Sequence, residues 1–195
     1  MPEIASEDTN YEVKAQFINK RGIYKDIYGS SSEWSDYQLR PNICIAMSVA
    51  PELFNKSHAL VALKTIQTSL LGKLGMKTLD PSDWKYSPYY DMSNDSDDFE
   101  KAKGFNYHQG PEWVWCFGYF LRAKINFYEE VDTKELAHNI SKMIGNHKQH
   151  LQESSWRGLT ELTNKDGEYC AYSCPTQAWS SGTILDALHE ISVKL

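Results

Sequence analysis

Residues 111–130 read PEWVWCFGYFLRAKINFYEE. Val114, Phe117, Tyr119, Phe120, Leu121, Ile125 and Phe127 put apolar side chains on most sides of a helix rather than along one stripe. A helix with that pattern is buried on both sides, so it belongs in the middle of a fold. The spacing predicts one helix from Pro111 to Glu130.

Four further helices follow from the same reasoning. Residues 43–54 carry Ile43, Ala46, Met47, Val49, Ala50, Leu53 and Phe54 on one broad apolar surface. Pro51 ends or kinks that helix, because proline lacks the amide proton and its ring crowds the preceding turn. Ser57 is the expected N-cap of the next, which carries Leu60, Val61, Leu63, Ile66, Leu70 and Leu71 and stops at Gly72 or Gly75. Asp132-Thr-Lys-Glu135 reads as a capping box opening a helix through Leu136, Ile140, Met143 and Ile144. The last covers about Thr176 to Val193, with Trp179, Ile184, Leu185, Leu188 and Ile191. No convincing period-two run appears, so the fold class is all-α.

The connections carry the candidate chemistry. The first 40 residues are polar and turn-rich. Residues 80–110 and 151–175 lack periodicity and hold half of the 12 tyrosines, 11 of the 26 carboxylates and two of the six tryptophans. Long loops inside a helical domain are commonly functional. Their gathering at one end of the helices implies a helical barrel with a site at its mouth.

Composition narrows the function. The 195 residues suffice for one domain or for part of a larger one. A net charge of −6 argues against a protein that coats nucleic acid or an anionic membrane. No run approaches the roughly 18 apolar residues of a membrane span, and the acidic N-terminus does not resemble a secretory signal. Cys44, Cys116, Cys170 and Cys174 then read as reduced thiols of a cytoplasmic protein. In that setting the glycosylation patterns at Asn55, Asn94 and Asn139 are chance matches. Six Trp, 12 Tyr and seven Phe fit either a surface that stacks on sugar rings or a Trp-rich core.

No metal or cofactor is expected. His147 and His150, or Cys170 and Cys174, lack a second half with ligand spacing. Asp91–Asp98 lacks the glycine and distal glutamate of a calcium loop, and no phosphate-binding loop is present. Carboxylates are the stronger signal. Glycoside hydrolysis needs two of them flanking the scissile bond, and they can come from distant loops. Glu112 and Glu161 both sit among aromatic and amide residues, although Glu112 also suits a helix N-terminus, where the dipole favours any acid.

Eight motifs then occur in order: Arg21-Gly-Ile-Tyr-Lys-Asp26, Asp36-Tyr-Gln-Leu-Arg-Pro-Asn42, Ala50-Pro-Glu-Leu-Phe54, Leu74-Gly-Met-Lys-Thr-Leu-Asp-Pro81, Lys103-Gly-Phe-Asn-Tyr-His-Gln-Gly-Pro-Glu-Trp113, Gly118-Tyr-Phe-Leu-Arg-Ala-Lys124, Glu161-Leu-Thr-Asn164 and Thr176-Gln-Ala-Trp-Ser180. Over residues 21–190 the chain resembles the C-terminal amylo-α-1,6-glucosidase domain of eukaryotic glycogen debranching enzymes. The resemblance divides the chain into a polar segment, 1–20, and a domain part, 21–195.

The resemblance implies roughly the last half of an (α/α)6 toroid. It also implies inverting hydrolysis of the α-1,6-linked glucose at a branch point, in a parent enzyme that is also a 4-α-glucanotransferase. The implied partners are glycogen or limit dextrin and upstream domains of the same polypeptide. Glu161 falls at the family's general base. Thr160 replaces the family's proline there, which is expected to loosen the loop but leave the carboxylate. Asp36, Arg40, Asn42, His108, Gln109, Glu112, Trp113, Gln177 and Trp179 fall in motifs that line or support the sugar pocket, with Trp113 and Trp179 open to a core reading instead. The family's general acid, an aspartate in an upstream Trp-Met-Asp segment, has no counterpart in the chain. The isolated chain is therefore expected to be poorly folded and inactive. A non-catalytic glucan-binding module is the alternative, and a purely helical interaction scaffold ranks last.

Overall fold

The computed structural model describes residues 21–98, 106–128 and 133–195. Its elements are α1 (Glu33–Asp36), α2 (Ile43–Val49), a 3-10 turn (Pro51–Leu53), α3 (Lys56–Leu70), β1 (Met76–Lys77), β2 (Glu112–Trp113), α4 (Trp115–Phe127), α5 (Thr133–Met143), α6 (Gly145–Glu153), β3 (Leu162–Thr163), a 3-10 turn (Lys165–Gly167) and α7 (Ala178–Lys194). The chain is mostly helical.

The apolar run that opens the reading is α4. Phe117, Phe120, Leu121, Ala123, Ile125 and Phe127 are all buried. It packs most extensively on α7, then on α2, with α3 also against it. Side-chain contacts fix the directions. Trp115 stacks on Trp179 with ring centres 4.1 Å apart. Thr183 donates its hydroxyl to the Trp115 carbonyl (3.0 Å). Two turns on, Arg122 Nε meets Glu190 Oε1 at 2.6 Å. The two helices therefore run the same way. On the other flank, the Ser48 hydroxyl donates to the Tyr119 carbonyl (2.9 Å), and Asn126 Nδ2 donates to the Met47 carbonyl (3.1 Å). Asn42, just before α2, lines one cleft with Trp115 and Cys116 at the start of α4, so the N-terminal ends of α2, α4 and α7 share one end of the molecule.

Gly118 permits the α4–α7 contact. A Cβ placed there would lie 2.3 Å from the Thr183 backbone. His147 fastens α6 to the same core. Its ring stacks on Phe117 at 4.5 Å, and Nε2 hydrogen-bonds the Leu74 carbonyl at 2.5 Å.

Four local expectations are corrected. The helix expected from Pro111 starts at Trp115, because Glu112–Trp113 is the central strand of an antiparallel sheet. The register pairs Met76 with Trp113, Lys77 with Glu112, Glu112 with Thr163 and Trp113 with Leu162. Strands of two residues are too short to carry a period-two pattern, which is why none was legible. The N-cap of α3 is Asn55, not Ser57: Asn55 Oδ1 accepts from the His58 amide at 3.2 Å, and the Ser57 hydroxyl donates to the same oxygen. The helix expected through Ile144 gives way there to α6, which carries helix on to Glu153 within the expected loop. Leu185 on α7, expected to be apolar contact, is exposed, as are Val49, Leu53 and Val61. Pro51 does end α2, one residue after Ala50. The capping residue Asp132, the segment 1–20 and Lys103–Phe105 of one motif lie outside the described residues. No described helix is long and apolar enough to cross a membrane.

Two expectations follow for the full-length protein, read by hydrogen exchange of the α4, α6 and α7 amides. Gly118→Ala should lower local opening energies in α4 and α7 by about 1–3 kcal/mol through overpacking, whereas Gly145→Ala, with open space at its Cβ, should leave them unchanged. Burial pushes the pKa of His147 down to about 4. Its folded pKa lies below the unfolded value of about 6.5, so the unfolded chain takes up the proton first. Stability should be full above that value and fall by up to about 3 kcal/mol as pH drops through 6.5 towards 4. His147→Phe, which keeps the stack on Phe117, should flatten this dependence.

Candidate functional site

Arg40 ties together the loops at the N-terminal end of α2. Nε and Nη2 donate to Gln38 Oε1 at 3.1 and 2.9 Å. Nη1 reaches the Thr78 carbonyl at 3.1 Å and the His108 carbonyl at 2.6 Å. Nη2 also meets Gln109 Oε1 at 2.8 Å. Asp26 stands 3.9 Å away and accepts from Asn42 Nδ2 at 3.0 Å. One planar cation thus fixes three chain segments, which a lysine's single ammonium cannot do.

These contacts enclose a cleft of about 470 Å³. Arg40, Asn42, His108, Gln109 and Trp113 all line it, so five of the expected residues come together. Asp26, Trp34 and Trp115 join them. Burial pulls the pKa of His108 below its ordinary value, and the Arg40 charge adds to this, so the ring is neutral near pH 7. Burial raises that of Asp26, against the hydrogen bond from Asn42 and the charge of Arg40.

Glu161 is 9% exposed and lies just before β3. Its backbone is held on both sides. The Glu161 amide donates to the Cys174 carbonyl (3.0 Å), and its carbonyl accepts from the Val114 amide (3.1 Å). Both carboxylate oxygens are engaged as well. The Tyr107 hydroxyl donates to Oε1 at 2.9 Å, and the Cys174 amide donates to Oε2 at 3.3 Å. The Tyr107 ring packs 4.7 Å from both His108 and Trp113, and Trp113 Nε1 donates to the Tyr107 carbonyl at 3.0 Å. Tyr107 therefore joins Glu161 to two residues that line the cleft. Thr160 does not loosen the segment: its hydroxyl donates to the Cys174 carbonyl at 3.0 Å, and its own carbonyl accepts from Ser180.

Glu161, Glu112, Asp36, Gln177 and Trp179 do not themselves line the cleft. Glu112 is 0% exposed. Oε1 accepts from the Asp166 amide at 3.0 Å, and Oε2 accepts from the Lys73 amide and the Thr163 hydroxyl at 3.3 and 3.4 Å. Burial raises its pKa, with Lys77 and these donors pulling the other way. Asp36 is buried and accepts from the Gly29 and Ser30 amides at 2.8 and 3.0 Å, shaping the loop before α1. Gln177 caps α7, where its amide donates to the Leu159 carbonyl (2.8 Å) and Oε1 accepts from Ser180. Trp179 is 49% exposed, so it is not core; it backs Trp115, a cleft residue. Trp113 is both cleft wall and core, being 5% exposed.

Three functional candidates escaped the sequence reading. Tyr107 and Asp26 stand inside motifs already quoted, but their roles come from pairings such as Tyr107 with Glu161, 54 residues apart. Trp115 lies within the stretch 111–130 but is not among the residues its apolar pattern singles out. Cys44, Cys116 and Cys170 are buried free thiols, and Cys174 is exposed. Among the described residues no group of His, Cys, Asp or Glu is arranged to hold a metal ion.

The family model described as amylo-alpha-1,6-glucosidase matches residues 3–186. The glycogen debranching enzyme of Saccharomyces cerevisiae is 49% identical over 203 residues, taking in 98% of this chain. The chain spans only 13% of the length of that relative.

The buried glutamate generates a test of the scaffold. Glu112→Gln keeps the shape but turns an NH2 towards backbone donors. It should lower opening energies of the 72–77 and 160–167 amides by about 1–3 kcal/mol in hydrogen exchange. Protection equal to that of the parent protein would contradict the role given to this carboxylate.

Proposed function

The chain belongs to the amylo-alpha-1,6-glucosidase family, and from that premise we propose that, within a longer polypeptide, its cleft hydrolyses the α-1,6-linked glucose at a glycogen branch point. The observation that carries this reading is the setting of Glu161. It is a nearly buried carboxylate with both oxygens held, linked by Tyr107 to the aromatic and amide wall of the cleft.

In the proposed mechanism Glu161 is the general base. Its fixed carboxylate takes a proton from water, which attacks the anomeric carbon on the face opposite the leaving oxygen. Inversion requires room for that water, with the two carboxyl groups roughly 6.5–9.5 Å apart. The general acid comes from polypeptide beyond this chain. Asp26, engaged by Asn42 and Arg40, serves to position the wall. Trp113 and Trp115 offer faces to the pyranose rings, while Asn42, Gln109 and neutral His108 meet hydroxyl groups.

The same reading extends to architecture. We take α2, α4 and α7 as neighbouring inner helices of a toroid, with α3 and α5 outside them. The exposed Val49 and Leu53 at one flank and Leu185 and Val193 at the other are then covered by helices of the remaining half. The 4-α-glucanotransferase activity belongs to that longer polypeptide as well, and this chain alone is inactive for want of the acid.

In the full-length protein, Glu161→Gln should cut glucose release from limit dextrin by about 10²–10⁴-fold, while oligosaccharide transfer continues. Glucose release at the parent rate would overturn the assignment. Tyr107→Phe removes the hydroxyl that holds Glu161 Oε1, so kcat for glucose release should fall by about 10- to 10²-fold through misplacement of the carboxylate, while oligosaccharide transfer continues; an unchanged kcat would contradict this role for Tyr107.

A further inference from the structure

The Thr160–Glu161 peptide is held at both of its polar atoms. Its carbonyl oxygen accepts from the Ser180 hydroxyl at 2.9 Å, and its amide, that of Glu161, donates to the Cys174 carbonyl at 3.0 Å. The next carbonyl, that of Glu161 itself, accepts from the Val114 amide at 3.1 Å. A peptide unit is planar and turns only as a whole. With its N–H, its C=O and the carbonyl beyond all engaged, the direction in which the Glu161 side chain leaves the backbone is set. Cys174 and Val114 act here through the main chain. Ser180 acts through its side chain, so it is the partner that a substitution can remove.

Two observations set Ser180 apart from an ordinary helix serine. It is 0% exposed although it lies in the first turn of α7. Serines in helices commonly return their proton to a carbonyl of the preceding turn, as Ser192 does to His189 at 2.7 Å. Ser180 instead donates to a segment 20 residues earlier. The same hydroxyl approaches Gln177 Oε1 at 3.3 Å, the longer of its two contacts. Thr183, one turn on, also leaves its helix and donates to the Trp115 carbonyl, while Trp179 stacks on the Trp115 ring. The start of α7 thus holds the glutamate through Ser180 and the cleft wall through Trp179 and Thr183. One rigid helix sets the spacing between them.

We propose that Ser180 is a positioning residue for the general base: its proton on the Thr160 carbonyl orients the peptide that carries Glu161, and so aims the carboxylate at the water it deprotonates. This role rests on the reading of Glu161 as the base. A buried carbonyl that loses its donor turns towards another partner, and the attached carboxylate moves with it. A misplacement of about 1 Å costs about 10²-fold in rate. Ser180 does not line the cleft, so the loss falls on kcat rather than on substrate binding.

The test uses the full-length protein carrying Ser180→Ala, Ser180→Thr and, as a control on the same helix, Ser192→Ala. Glucose release from limit dextrin gives kcat and KM, and oligosaccharide transfer by the same sample reports folding. Ser180→Ala should lower kcat by about 10- to 10²-fold with KM within about twofold, while transfer continues. Ser180→Thr restores the hydroxyl and should recover most of the loss, and Ser192→Ala should lose nothing. A residue that acts through Glu161 has nothing left to position in Glu161→Gln. Adding Ser180→Ala to that variant should therefore cost less than about twofold. An equal loss in both backgrounds would overturn the proposal, as would an unchanged kcat or a loss carried by KM. If the alanine variant also loses transfer, Ser180→Cys takes its place, since it keeps a weak donor in nearly the same space; a smaller fall in kcat is then expected, and the parent kcat would overturn the role. Failure of the underlying reading is separate: it shows as parent glucose release in Glu161→Gln, whereas loss there with parent kcat in Ser180→Ala defeats the positioning role alone.

Discussion

The rest of the structure depends on one buried carboxylate. Glu112 sits at 0% exposure in the central strand of a six-residue sheet. Removing a carboxylate from water is costly unless hydrogen bonds replace the water. Here the replacements come from the Lys73 and Asp166 amides and the Thr163 hydroxyl, on two separate segments. Satisfying Glu112 therefore fixes the turn after α3 and the segment after β3 at once. Gly72 answers the same demand, since a Cβ there would lie 2.3 Å from Glu112 Oε2. Glu161 lies one residue before β3, so its position is set by the strand that Glu112 holds.

The helices supply the second half of the arrangement. Because α4 is enclosed by α2, α3 and α7, the three helices α2, α4 and α7 can present their N-terminal ends together. The loops that enter those helices bring Arg40, Asn42, His108, Gln109 and Trp113 to one cleft, and Tyr107 joins Glu161 to it. Arg40 joins three of the loop segments by direct hydrogen bonds. Tyr107 then makes the link from cleft to carboxylate. Rigid helices set the frame, and polar side chains set the distances.

Much of this was legible in the sequence, for physical reasons that can be named. The apolar circumference of residues 114–127 gave a central helix because burial on all sides leaves no polar stripe. Arg40, Asn42, His108, Gln109 and Trp113 were legible as a group through family motifs, and they do line one cleft. The sheet was not legible, because its strands are held by long-range pairing and by Glu112 rather than by local pattern. Glu112 was legible only as a residue that lines or supports the pocket, because its donors, Lys73, Thr163 and Asp166, are distant in sequence. Asn55 displaced Ser57 as a cap because either residue type suits that position. Tyr107 shows the general limit. Its motif was visible, but its partner lies 54 residues away.

The account gives Glu161 the task of activating water, not of forming a bond to sugar. The most direct measurement is proton NMR of the glucose first released from limit dextrin by the full-length protein, recorded before mutarotation. The account predicts that β-glucose appears first, since water enters opposite the α-linked leaving oxygen. Initial release of α-glucose would mean retention, make the base assignment of Glu161 untenable, and contradict the central claim.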